Sequence, residues 1–265
     1  MDRHPIPERV ILPKLIFLGT GSIIPTESRF SSGILLERED KLRVLLDIGP
    51  GVIEKLRRIK VNPESIQAVL ITHLHLDHVS DLLPLLKIKA LTGGERLLIL
   101  GPPRTGRWLD LMTTDRRLFG YLSDLRCRDV MEVHELWDDC LRIATGVRVC
   151  SKPVEHFDGI AYRIELDDLS ITYSGDTVPD QRLINLAEGS KILIHECSFP
   201  ADKLRGKHTS AIDLLRIVAE VDPEILIITH LYPEMEEDLP RFYETLSKVF
   251  SGRIYAPKDL DVLQV

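Results

Sequence analysis

The segment Ala68-Val69-Leu70-Ile71-Thr72-His73-Leu74-His75-Leu76-Asp77-His78 constrains this chain more than any other. It opens as an apolar, β-rich run, and four metal-capable side chains, His73, His75, Asp77 and His78, follow within six positions. In extended chain, alternate side chains share a side, so the imidazoles of His73 and His75 meet one cation. Asp77 and His78 come where the chain turns into a helical pattern at Val79, within reach of a second cation. Two ions about 3.5 to 4 Å apart hold a hydroxide between them and polarise a phosphoryl or carbonyl oxygen. A histidine-rich polar surface turn is the competing explanation, and the donors found downstream weigh against it.

Strand-length apolar runs occur at 14–18, 33–36, 44–46, 68–72, 97–100, 141–149, 161–166, 170–173, 191–195 and 225–229. Helical periodicity is clearest at 79–91, 179–187, 211–221 and 237–249. Strands and helices therefore intermix, which reads as an α/β fold. Ser210 with Asp213 three positions on is a capping-box variant that starts a helix just after His208. With 265 residues, 44% of them hydrophobic, and no linker or repeat, one domain over 1–265 is expected.

The net charge of −7 argues against a whole surface shaped for nucleic acid, while leaving room for a local basic patch. No stretch approaches the roughly 20 apolar residues of a membrane span, so no membrane partner is expected. Residues 1–9 carry charge and proline where a signal peptide needs an apolar run, so the expected compartment is the cytoplasm. Cys127, Cys140, Cys150 and Cys197 lack paired spacing, which reads as buried free thiols rather than a disulfide framework or zinc knuckle.

The His73–His78 cluster resembles the HxHxDH signature of the metallo-β-lactamase superfamily. Leu18-Gly19-Thr20-Gly21-Ser22 with Pro25, and Leu46-Asp47-Ile48-Gly49-Pro50-Gly51, resemble its opening strand-loops, so the similarity runs over nearly the whole chain. The resemblance implies a four-layer αββα sandwich with metals at one edge of the sheets. It assigns His156 to the first metal beside His73 and His75, Asp176 to the bridging position, and His230 to the second metal beside Asp77 and His78. Asp176 and His230 also follow apolar strand-like runs, where loops hold site residues on a rigid scaffold. The implied cofactor is a pair of zinc ions; without a cysteine ligand, manganese or iron also suits these donors.

His195-Glu196-Cys197-Ser198-Phe199 and Lys207-His208-Thr209-Ser210-Ala211 are similar to two motifs of ribonuclease Z, in which the glutamate and the second histidine act as a pair. Phosphodiester cleavage leaves an alkoxide that needs a proton, and His208, oriented by Glu196, is the candidate donor. A purely structural Glu196–His208 hydrogen bond is the alternative. Lys203, Arg205 and Lys207 form a basic group near His208, and Arg205 and Lys207 are the candidates for holding a substrate phosphate. Arg29 reads equally as a family position or an ordinary surface ion pair.

The long Gly/Pro-rich arm with which ribonuclease Z grips tRNA has no counterpart after Gly101-Pro102-Pro103, and His230 is followed by Leu231-Tyr232-Pro233-Glu234 rather than Ser-x-Arg-Tyr. The expected activity is therefore a zinc phosphodiesterase in which a metal-held hydroxide attacks phosphorus, Asp77 orients it and His208 with Glu196 assists the leaving oxygen. tRNA 3′-processing, or hydrolysis of an aryl sulfate, lactone or thioester, is the alternative within hydrolases. An iron redox protein or an RNA-binding metalloprotein is the alternative outside them. RNA as substrate and a homodimer as assembly both stay open.

Overall fold

The computed structural model describes residues 13–38, 40–166, 168–201, 203 and 206–265. The readings placed on residues 1–9 and on Arg205 lie outside the described residues. Two seven-stranded sheets pack face to face. The first contains β1 (Lys14–Gly19), β2 (Gly33–Glu37), β3 (Arg43–Leu46), β4 (Ala68–Leu70), β5 (Leu97–Gly101) and β6 (Met131–Glu135) in chain order. The second runs from β7 (Cys140–Ala144) through β8 (Val147–Pro153), β9 (Ile160–Leu166), β10 (Leu169–Tyr173), β11 (Ile192–Glu196) and β12 (Ile225–Thr229) to β13 (Arg253–Tyr255). The last strand, β14 (Val262–Gln264), returns to the first sheet beside β1.

The inner strands β4, β5, β11 and β12 are apolar on both faces, as strands covered on both sides must be. Leu15 and Phe17 of β1 point between the sheets, where they join Leu46, Leu70, Tyr162, Ile164 and Ile194 in one buried core. Ile16 and Leu18 point outward to a second core with α1 (Val52–Arg58), α3 (Leu82–Thr92), α4 (Thr105–Thr114) and α5 (Arg116–Asp124). On the far side, α6 (Gln181–Ala187), α7 (Ala211–Val221) and α8 (Pro233–Leu246) cover Leu193, Leu226 and Ile228. These are the four αββα layers.

The helix expected over 79–91 is divided into α2 (Leu76–Val79) and α3. Asp81 divides it: its carboxylate accepts from Ile53 N–H at 3.0 Å and its own N–H donates to Ile48 O at 3.1 Å, pinning the chain beside α1. The single strand expected over 141–149 is a hairpin, β7 and β8, turned at Gly146, whose φ of 70° suits glycine. That hairpin overturns the free-thiol reading of two cysteines. Cys140 and Cys150 face each other across it, Cα atoms 4.0 Å apart, and form a disulfide, whereas Cys127 and Cys197 are free and buried. Cross-strand pairing depends on register, which spacing alone does not reveal. Among the described residues no helix is long and apolar enough to cross a membrane.

Candidate metal centre

β3 and β4 run parallel in one sheet, and β10, β11 and β12 run parallel in the other. Ligands of parallel sheets gather outside the carboxyl ends of the strands. Here those ends deliver Asp47 after β3, Thr72 and His73 after β4, Asp176 after β10, Glu196 at the end of β11 and His230 after β12. The edges are tied together, since Ile160 N–H donates to Thr72 O at 2.9 Å. Gly175, with φ of 58°, brings the Asp176 loop against Thr72, where any added Cβ would sit 2.6 Å from the Thr72 Cβ. His75 precedes the first turn of α2, which carries Asp77 and His78, and His156 comes from the loop between β8 and β9.

The seven expected ligands converge. His73, His75, His156 and Asp176 each bring one ligand atom into a common group no more than 4.8 Å across, and Asp77, His78 and His230 form another. Asp176 lies between them: its Oδ2 is 3.7 Å from His73 Nε2, 3.8 Å from His156 Nε2 and 3.3 Å from His230 Nε2, and its Oδ1 is 3.4 Å from His78 Nε2. Asp77 Oδ2 is 3.5 Å from His230 Nε2 and 3.7 Å from His78 Nε2.

The donors fit a cation. Ligand atoms about 2.0–2.1 Å from a tetrahedral zinc stand about 3.3–3.4 Å apart, close to the separations seen here. Among the described residues, His73 Nε2, His78 Nε2, His230 Nε2 and Asp176 Oδ1 are buried without a hydrogen-bond partner. Leaving one such atom bare costs about 1–3 kcal/mol, and four that converge on one place call for an ion. The opposite ring nitrogens are held: His73 Nδ1 by Thr72 Oγ1 at 3.0 Å, His78 Nδ1 by Asp47 Oδ2 at 2.8 Å, His156 Nδ1 by Lys207 O at 2.9 Å and His230 Nδ1 by Ser198 Oγ at 3.1 Å. Such contacts fix ring orientation and aim the free nitrogen at the metal.

Burial lowers the His73 imidazole well below its ordinary range and the His156 imidazole to about 4, so both are neutral donors. For His78, burial also lowers the value, but the Asp176 and Asp47 carboxylates outweigh it and raise the imidazole well above that range. Burial would raise Asp176, yet His230, His78 and His73 hold it well below the usual carboxylate range. A cation entering this group displaces protons from histidine rather than from Asp176.

Glu196 and His208 sit beside the donors. Glu196 is 1% exposed; its Oε1 accepts from Thr177 N–H and its Oε2 from Ser198 Oγ, both at 2.5 Å, and both oxygens lie 3.2 Å from His208 Nδ1. His208 Nδ1 is 3.9 Å from Asp176 Oδ2, and its ring stacks on His230 with centroids 5.4 Å apart. Ser210 and Asp213 cap α7 reciprocally, which fixes the chain just after His208.

Of the basic group, Lys203 and Lys207 lie among the described residues. Lys203 pairs with Glu234 and lies over the Phe199 ring, and Lys207 brings its carbonyl, not its exposed side chain, to His156. Arg29 is not a surface residue: it is 1% exposed, binds Glu236 Oε1 at 3.2 Å and donates to Thr20 Oγ1 and Pro257 O. Asp47 was not foreseen. Its buried carboxylate accepts from Thr72 N–H at 2.8 Å, from Thr72 Oγ1 and from Tyr173 OH at 2.8 Å, besides meeting His78. Its one sequence signal is its place at a strand end in the Leu46–Gly49 motif.

The family model described as "Anti-Pycsar protein Apyc1" matches residues 13–246. A ribonuclease Z from Mycobacterium marinum is 30% identical over 275 residues, covering 95% of this chain and 98% of that protein. Among solved structures, the metallo-β-lactamase fold protein YhfI from Bacillus subtilis superposes with a TM-score of 0.80 at 23% identity, covering 96% of this chain and 100% of that one. The short form of human tRNase Z superposes with a TM-score of 0.75 at 21% identity, covering 95% and 99%; both likenesses are of fold.

Proposed function

Because the chain belongs to the metallo-β-lactamase superfamily, in its ribonuclease Z-like branch and in the family of the Anti-Pycsar protein Apyc1, and is a metal-dependent hydrolase, we propose that it is a binuclear zinc phosphodiesterase. The observation that carries this reading is the Glu196–His208 pair set against the donor cluster. His73, His75 and His156 would hold one ion, Asp77, His78 and His230 the other, with Asp176 shared between them. Bound there, two zinc ions supply Lewis acidity toward phosphoryl oxygens and make water acidic enough to attack at neutral pH.

The chain's own groups supply the rest. Asp77, on the first turn of α2, orients the attacking water. His208 keeps Nδ1 on Glu196, so its Nε2 is the atom that hands a proton to the departing alkoxide. The Glu196 carboxylate stabilises the imidazolium before transfer, and the Thr177 and Ser198 donors keep that carboxylate from swinging away. The N-terminus of α7, capped at Ser210, attracts the phosphate oxygens. Among the described side chains near His208, Lys207 is the candidate for a phosphate contact, being exposed one position before it.

A compact phosphodiester fits better than a tRNA precursor. Residues 105–124 fold as α4 and α5, anchored on the first sheet by Leu109 and Leu122, and form no protruding arm. Processing of tRNA 3′ ends is the second reading, favoured by the identity to ribonuclease Z. Turnover of bis(p-nitrophenyl) phosphate, a cyclic nucleotide, a 3′-extended tRNA precursor, an aryl sulfate, a lactone and a thioester separates these. The two small diesters should lead. A lead for the sulfate, lactone or thioester overturns the proposal, and a lead for the tRNA precursor moves it to the second reading.

A further inference from the structure

We propose that Asp259, in the segment before β14, is a positioning residue for the second metal site: it fixes the loop that holds His230 in the backbone conformation from which its imidazole meets Asp77 and Asp176. This rests on the two-ion reading above. His230 has φ of 56°, a left-handed conformation uncommon for a residue with a Cβ. Strain of this kind persists only where the surroundings impose it. In that conformation His230 Nε2 stands 3.3 Å from Asp176 Oδ2 and 3.5 Å from Asp77 Oδ2.

A contact between the two sheets imposes it. β12, which leads into His230, belongs to the second sheet, but Leu231 pairs with the loop that follows β1 in the first. Leu231 N–H donates to Thr20 O and Ser22 N–H donates to Leu231 O, both at 3.2 Å, in a parallel bridge between Gly21 and Leu231. His230 is thus set between a strand of one sheet and a loop of the other. Where that loop stands decides where the imidazole points.

Asp259 sets the loop. Its Oδ1 accepts from Thr20 N–H and Thr20 Oγ1, each at 3.0 Å, and its Oδ2 accepts from Phe30 N–H at 2.9 Å and from Lys55 Nζ of α1 at 2.6 Å. One carboxylate therefore joins both legs of the loop 20–30 to each other and to α1. The legs are close, since a Cβ added at Gly19 would lie 1.7 Å from Ser31 O. Asp259 is itself anchored on β1, because its neighbours bond there: Leu260 N–H donates to Phe17 O at 2.6 Å and Phe17 N–H to Asp261 O at 3.0 Å.

Stability alone does not account for the arrangement. The Asp259 and Lys55 side chains are each 8% exposed, and desolvating two charges offsets their attraction, so a buried pair adds little net stability. What it contributes here is register, carried from Asp259 to Thr20, from Thr20 O to Leu231 N–H, and from Leu231 to its neighbour His230. His73, His75 and His156, the donors of the first ion, follow β4 and β8 and lie off this route.

Zinc affinities, measured without substrate by competition with a chromophoric chelator, test the proposal. The parent should bind two equivalents, and His230→Ala should lose one. Asp259→Ala should weaken one equivalent about 10- to 100-fold and keep the other, as loss of a group that orients a ligand does. Should that variant fail to fold, Asp259→Asn, of the same shape, carries the test with a smaller loss on one equivalent. Added to His230→Ala, Asp259→Asn should leave the remaining equivalent unchanged. Leu122→Ala, a cavity variant in the helices over the first sheet, should lower the urea midpoint and leave both affinities alone. Two unchanged equivalents in a folded Asp259 variant, equal weakening of both, a further loss in the double variant, or the same selective loss in Leu122→Ala overturns the positioning role and leaves the two-ion reading standing. A parent that binds fewer than two equivalents overturns both.

Discussion

The Nδ1 atom of His208 stands 3.2 Å from both carboxylate oxygens of Glu196, a residue 1% exposed whose oxygens are already engaged by Thr177 N–H and Ser198 Oγ. Burial raises the Glu196 carboxyl; the same burial lowers His208, but Glu196 together with Asp176 and Asp77 outweighs it and raises the imidazole above its ordinary range. With the Nδ1 proton held on Glu196 beside Asp176, the proton on Nε2 is the one free to be given away.

If that proton is the one delivered to the leaving oxygen, His208→Ala should lower kcat on a small diester by about 10²- to 10⁴-fold, the usual range for a general acid. Metal content should stay as in the parent protein. Glu196→Gln should give a smaller loss, and the double variant should be no worse than His208→Ala, since the two residues act as a unit. Steady-state kinetics with elemental analysis of the same samples checks this; lost metal or an unchanged kcat contradicts it.

Asp47 meets His78 Nδ1 at 2.8 Å and ties Thr72 and Tyr173 to the same carboxylate. Asp47→Ala should therefore weaken one metal site, the one holding His78, by about 10- to 100-fold while the other keeps its affinity. A competition titration with a chromophoric chelator would show one of two equivalents released early. Two unchanged sites would remove Asp47 from the account.

The ion pair of Arg29 and Glu236 sets a pH dependence of stability. Burial pushes the Glu236 carboxyl up, but the Ser28 and Thr26 hydroxyls and the Arg29 guanidinium together hold it below its ordinary range. A depressed carboxyl stabilises the fold above its unfolded value, about 4.3, and that contribution fades as pH falls through the lower folded value. Glu236→Gln, which leaves buried Arg29 without its anion, should cost about 1–3 kcal/mol at pH 7. Urea unfolding at a series of pH values should show the gap between variant and parent closing below pH about 4. A gap that persists or widens in acid would contradict the assignment.

The Cys140–Cys150 bridge closes a loop at the edge of the second sheet. Alkylation of unfolded, unreduced protein should label two cysteines, Cys127 and Cys197, and reduction should expose four. Cys140→Ser with Cys150→Ser should lower stability by about 2–3 kcal/mol through the freed unfolded chain. Labelling of four cysteines before reduction would show the bridge absent.

What was legible in the chain follows from how locally each feature is specified. The His73–His78 run is legible because its donors and its strand-to-helix turn are adjacent in sequence, and Ala211–Val221 because its cap, Ser210 with Asp213, is local too. The edge strands Arg253–Tyr255 and Val262–Gln264 carry no apolar run of their own and exist only because β12 and β1 offer partners. Asp47 looks like any acidic turn residue until parallel pairing of β3 and β4 sets it against Thr72. The Cys140–Cys150 pair was illegible because it depends on the register of β7 with β8.

The central claim is that two divalent ions, held on the seven converging donors, are required for diester cleavage. Zinc added back to chelator-stripped protein, with turnover of bis(p-nitrophenyl) phosphate followed at each addition, tests it most directly. The account predicts no turnover in the stripped protein and a rise that saturates at two equivalents of zinc per chain. Turnover that survives stripping, or a rise complete at one equivalent, would contradict it.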